Sequence, residues 1–152
     1  MSITVGDIRE LLGEHEGIRA HMRFLTRSQK EFLTRDIQAK EKIWAYRFGL
    51  HDFKEEIQLH IEVDKRIFSA LAEDISFNAP VEEHEEIQNL FNELIELADS
   101  AAIDRFSEQE LSEYSEKIGS AVNKICDLVE IHIITENKIL EKALEKLCTA
   151  TN

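Results

Sequence analysis

The chain has one proline, Pro80, and five glycines that never fall next to one another, so very little in it interrupts regular structure. Between the interruptions, apolar residues recur at steps of three and four, the spacing that places side chains on one face of a helix. Three breaks divide the pattern. "LTRDIQ", around residues 34 to 37, ends the first run; "SFNAP", residues 76 to 80, ends the second; "AIDRFSEQE" precedes Ser107 and Glu110, a Ser-x-x-Glu capping box that can start a last helix. The abundance of Glu, Leu, Lys, Ala and Ile supports helix over strand throughout. Short connections between long amphipathic helices make neighbours antiparallel. The expectation is an all-α, up-down-up-down antiparallel four-helix bundle in one domain spanning residues 1 to 152.

The four stripes are apolar with specific exceptions. The first runs Ile8, Leu11, His15, Ile18, Met22, Leu25, Gln29, Phe32; the second Tyr46, Leu50, Phe53, Ile57, His60, Asp64, Ile67, Leu71. The third is Val81, His84, Ile87, Phe91, Leu94, Ala98, Ala101, and the fourth is Leu111, Ile118, Val122, Ile125, Val129, His132, Glu136, Ile139, Ala143. Each stripe carries one histidine, and the second and fourth add a carboxylate four residues later. Counting from each histidine to the intervening turn sets its depth. His15 lies about 21 residues before the first turn and His60 about 24 after it; His84 lies about 20 before the third turn and His132 about 28 after it. All four therefore fall within roughly a dozen ångströms in height, towards the end that holds the termini and "SFNAP".

A single histidine on an apolar face is ordinarily a satisfied core residue. Four at one depth, with Asp64 and Glu136 beside them, pose a different problem. An uncompensated carboxylate in a core costs several kcal/mol, so the group demands a cation or a complete hydrogen-bond network. At i, i+4 spacing, His60/Asp64 and His132/Glu136 each reach a common centre. Six candidate ligands, His15, His60, Asp64, His84, His132 and Glu136, are too many for a four-coordinate structural zinc. Imidazole with carboxylates able to bridge suits a dinuclear centre, with iron first and manganese or zinc behind it.

"GEHEGIRAHM", "LHIEVDKRIF", "VEEHEEIQNLF" and "IHIITENKILEKAL" resemble the hemerythrin-like family, the HHE cation-binding domain, over essentially the whole chain. What the resemblance implies is a non-haem di-iron protein. His15, His60, His84 and His132 would be terminal ligands, Asp64 and Glu136 bridging carboxylates, and an oxo or hydroxo bridge would join the two iron ions. The family binds or senses dioxygen, peroxide, nitric oxide or iron, or repairs iron centres. Asp64 stands where the family usually has glutamate, and Gln88 stands where the oxygen carriers have a further histidine. The helix-four pair is spaced by four residues, one fewer than in those carriers. The resemblance thus leans away from dedicated oxygen carriage.

Other candidates are weaker. His51 and Glu55 lie off the stripe and read as surface residues; His21 is a boundary histidine; Glu56, one turn before His60, is either an extra ligand or a hydrogen-bond partner to an imidazole. Trp44 and Tyr46 read as core aromatics. Cys126 and Cys148, about 33 Å apart on one helix, cannot pair and read as packing thiols. The Glu-x-x-His signature of ferritin-like di-iron enzymes is absent, since the residues three before the histidines are Leu12, Ile18, Phe48, Ile57, Val81 and Val129.

A formal charge of −13 opposes nucleic acid and anionic lipid as partners. No apolar run approaches the roughly 20 residues of a membrane span, and the N-terminus does not read as a signal peptide, so a cytoplasmic location is expected. A metal-free helical interaction module with a buried polar network is the competing reading. A peroxidase or reductase on the same site would need an electron-donor motif, and none is identifiable; enzyme or binding protein is left open.

Overall fold

The computed structural model describes residues 3–73, 81–103 and 105–150. Four helices account for nearly all of them: α1 (Val5–Thr34), α2 (Ala39–Leu71), α3 (Val81–Ile103) and α4 (Glu108–Ala150). Among the described residues there is no strand. The architecture is the all-α antiparallel four-helix bundle expected from the phase of the stripes.

Local chemistry explains the helix starts. The Ser107/Glu110 box forms as read from the sequence: the Glu110 amide donates to Ser107 Oγ (3.2 Å) and the Ser107 amide donates to Glu110 Oε1 (3.3 Å). Thr4 and Asp7 make a second reciprocal box at the start of α1, the Thr4 amide donating to Asp7 Oδ2 at 2.9 Å. Each box satisfies two amides that a helix start leaves without partners. The first break falls where "LTRDIQ" put it, with Arg35 extended after α1. "SFNAP" lies outside the described residues.

The packing is rhomboid. α1 packs on α2 and α4, α3 packs on α2 and α4, and α2 meets α4 across the short diagonal; among the described residues, no Cα of α1 comes within 8 Å of one in α3. The two helices that carry a His-x-x-x-carboxylate pair are thus the two that meet at the centre. Gly49 helps α1 and α2 close up, since a Cβ there would lie 2.7 Å from Leu25 Cδ2.

Burial follows the stripes closely. Every residue of the second stripe is buried, as are His84 to Ala101 of the third; the Val81 side chain lies outside the described residues. Gln29 and Phe32, at the end of the first stripe, are half-buried, and the Gln29 amide reaches across to donate to the Gly119 carbonyl at 2.9 Å. The apolar core is in two parts. A large cluster, built on Leu50, Phe53, Phe91, Ile118 and Ile125, draws on all four helices. A smaller one, Ile8, Leu11, Ile67, Phe68, Leu71, Leu140 and Ala143, lies at the terminal end and, among the described residues, draws on α1, α2 and α4. Helix length accounts for this: the 43 residues of α4 reach about 65 Å, whereas the 23 of α3 reach about 35 Å. Between the two clusters lies a polar layer.

Two expectations are corrected. Trp44 is a surface residue, 36% exposed beside Phe48 and beneath the Arg47 guanidinium at 4.8 Å. It stands two residues from Tyr46, about 200° round the helix from a core position, so the stripe that buries Tyr46 turns Trp44 outward. Cys126 is buried as a packing residue, but Cys148, near the end of α4, is exposed.

Candidate metal centre

The polar layer holds all six residues singled out by the stripes. His15, His60, Asp64, His84, His132 and Glu136 are each at most 3% exposed, and they come from all four helices. Ligand atoms of His60, Asp64, His132 and Glu136 lie within 4.8 Å of one another. His15 and His84 join them through Glu136, as its two oxygens show.

Glu136 divides the histidines into pairs. Its Oε2 faces α1 and α2, at 3.2 Å from His15 Nε2 and 3.8 Å from His60 Nε2. Its Oε1 faces the other side, in contact with His132 Nε2 and 3.4 Å from His84 Nε2. The rings pair accordingly, with centroids 4.8 Å apart for His15/His60 and 4.5 Å apart for His84/His132. Asp64 stands on the second side, Oδ2 2.7 Å from His84 Nε2. One carboxylate thus meets a different imidazole pair at each oxygen.

The polar atoms satisfy one another only in part. Neither nitrogen of His60 and neither oxygen of Asp64 has a hydrogen-bond partner, nor has His84 Nδ1; the Asp64 contact with His84 is close but not aligned as a hydrogen bond. Buried groups normally find partners, and each one without costs about 1–3 kcal/mol. His15, His84 and His132 reach Glu136 or one another through Nε2, but two of those nitrogens face each other at 2.9 Å and His60 and Asp64 stay unpartnered, a donor set suited to a cation, which satisfies imidazole lone pairs and carboxylate charge together. The residues present therefore fit a metal.

Electrostatics show what the layer does with protons alone. Burial, with Glu136 adding to it, raises the Asp64 pKa to about 7 against the pull of His84. For His84, burial disfavours the charged ring, but Asp64 and Glu136 outweigh it and raise the pKa to about 9. His132 is raised in the same way, burial being overcome by Glu136 and Glu83. Burial also works against the charge on Glu136, yet the four imidazoles hold it well below the usual carboxylate range. A cation entering here displaces protons, so its affinity falls as the solution is acidified.

Two partners escaped the sequence reading. Asn137 Oδ1 accepts from His15 Nδ1 at 2.5 Å, and Glu83 Oε2 accepts from His132 Nδ1 at 2.6 Å. Each fixes its ring with Nε2 directed inward. Glu14 also approaches the layer: its Oε2 is buried without a partner, and burial raises its pKa while His60 opposes the rise. Glu56 does not reach the centre; its carboxylate pairs with the half-buried His21 at 2.7 Å. It is thus a partner to an imidazole, but not to one of the inward four. His51 is exposed and meets Asp99 at 3.2 Å, and Glu55 is exposed, as expected for surface residues.

Comparison with protein-family models, with curated proteins and with solved structures returns no match to this chain. The functional reading rests on the residues themselves.

Beside the layer lies a small enclosed cavity of about 10 Å³, walled by Ile18, Ile57, Ile87 and Val129 and opening onto His60, His84 and His132. It has the volume of about one water-sized probe. Among the described residues, no helix is long and apolar enough to cross a membrane.

Proposed function

We propose that the chain is a hemerythrin-like non-haem di-iron protein that binds or senses a small ligand, dioxygen, peroxide or nitric oxide, or iron itself, in the cytoplasm. The observation that carries this reading is the division of Glu136, whose two oxygens serve two separate histidine pairs in a layer with unpartnered buried donors. His15 and His60 would hold one ion and His84 and His132 the other, with Glu136 and Asp64 supplying negative charge between them. When bound, an iron pair supplies open coordination positions and a reversible change of oxidation state. The protein's part is to hold four Nε2 atoms inward, exclude bulk water, and leave a small apolar space against three of the imidazoles.

The metal-free module is the weaker reading, because a polar network stable without a cation would not leave His60 and Asp64 unpartnered. Metal analysis after anaerobic iron loading separates the two. The di-iron reading requires about two irons per chain, lost in His60→Ala and His132→Ala, and near-ultraviolet charge-transfer absorption in the oxidised protein. Unchanged iron content in both variants would rule it out. Steady-state assays with hydrogen peroxide or nitric oxide then distinguish a turnover enzyme from a sensor.

A further inference from the structure

The two halves of the layer differ in what stands behind them. On the Oε1 side of Glu136, His132 is backed by the Glu83 carboxylate, and Asp64 lies against His84. On the Oε2 side, His15 is backed by the neutral Asn137 amide; His60 Nδ1 on this side and His84 Nδ1 on the other have no hydrogen-bond partner. An imidazole whose Nδ1–H donates to a carboxylate is a stronger electron-pair donor than one held by an amide, because the anion stabilises positive charge on the ring. Each half has carboxylates near it, Asp64 by the first and Glu14, with a buried unpartnered oxygen, by the second, so the difference lies in the hydrogen bond that Glu83 makes to a ring. Sequence spacing gives no sign of this difference, since both halves contain two histidines and share Glu136.

We infer that the two metal positions are unequal and fill in order, the His84/His132 position before the His15/His60 position, and that Glu83 is the positioning residue that sets the gap. This rests on the two-metal reading above. Glu83 lies on α3 next to His84 but acts on His132 of α4, so it also ties the two helices that enclose the first position. Its side chain is 38% exposed, which lets it be changed without disturbing the core.

The test is an anaerobic titration of the metal-free full chain with Co(II), followed by calorimetry and visible absorption. The parent should bind two ions in two resolved steps. Glu83→Ala should weaken the first step by about 10–100-fold, the usual effect of losing such a partner, and leave the second unchanged. Glu83→Gln should recover part of the loss, because its amide oxygen still accepts from Nδ1. Asn137→Ala should weaken only the second step. In the metal-free protein, nitrogen-15 NMR gives an independent readout: a strongly downfield His132 Nδ1–H proton should vanish in Glu83→Ala and persist in Glu83→Gln. Two equal steps in the parent, or a Glu83→Ala effect that is absent or equal on both steps, overturns the inference while leaving two metal positions intact. Failure of the parent to bind two ions overturns the two-metal reading itself, and the inference with it.

Discussion

Phe53 and Asp64 lie about three turns apart on one face of α2, both shut away from water, and burial has opposite consequences for them. Phe53 packs edge to face on Phe91, with ring centroids 5.2 Å apart, inside the large apolar cluster. That region is complete as it stands. Asp64 belongs to the polar layer, where burial raises its pKa and leaves its oxygens without hydrogen bonds. Equal burial therefore measures stability in one region and a binding capacity in the other.

The largest test of this contrast removes Phe53. Phe53→Ala should lower unfolding free energy by about 3–5 kcal/mol with or without metal, as read from urea unfolding curves. A loss that depended on metal would mean the two regions are not separate. Metal removal should act only through the layer: at free ion concentrations about 100 times Kd, loading should add about 2.7 kcal/mol, and a chelator should abolish it. Indifference of the melting temperature to iron and chelator would show that the layer is stable by itself.

A smaller effect should appear with pH in the metal-free protein. His84 is raised from 6.5 to about 9 in the folded state, so its contribution is complete below pH 6.5 and lost as pH rises through 9. Asp64 is raised from 3.8 to about 7, so its penalty grows over that interval and stays at higher pH. Both make the metal-free fold weaker at about pH 9 than at about pH 6. Glu136, held low, has the opposite sign: its contribution is present above its unfolded value of 4.5 and is lost only as strong acid protonates it. Urea midpoints at the two pH values, compared with those of His84→Ala, test the assignment; the variant should flatten the slope.

Much of this was legible in the sequence because one rule, helical phase, governs both the core and the site. A stripe that buries Leu50 and Phe53 necessarily buries His60 and Asp64, and the capping box at Ser107 fixed where α4 begins. Phase also contained the answer for Trp44, whose place opposite Tyr46 was outweighed by its apolar character. Glu83 and Asn137 were not legible, because each acts on a histidine of another helix and neither lies on a stripe. The division of Glu136 between two histidine pairs depends on α2 and α4 meeting across the diagonal, a feature of packing that no single helix encodes.

The layer stands nearer one end of the bundle, with a separate apolar cluster between it and the termini. Among the described residues, Ile8, Leu11, Ile67, Phe68, Leu71, Leu140 and Ala143 of α1, α2 and α4 close the terminal side. Amide hydrogens there should exchange through a local opening well short of global unfolding. Fraying of those helix ends would give an ion held by the layer a route in or out while Phe53 and Phe91 stay packed, and an ion shared among the helices would slow that fraying in turn.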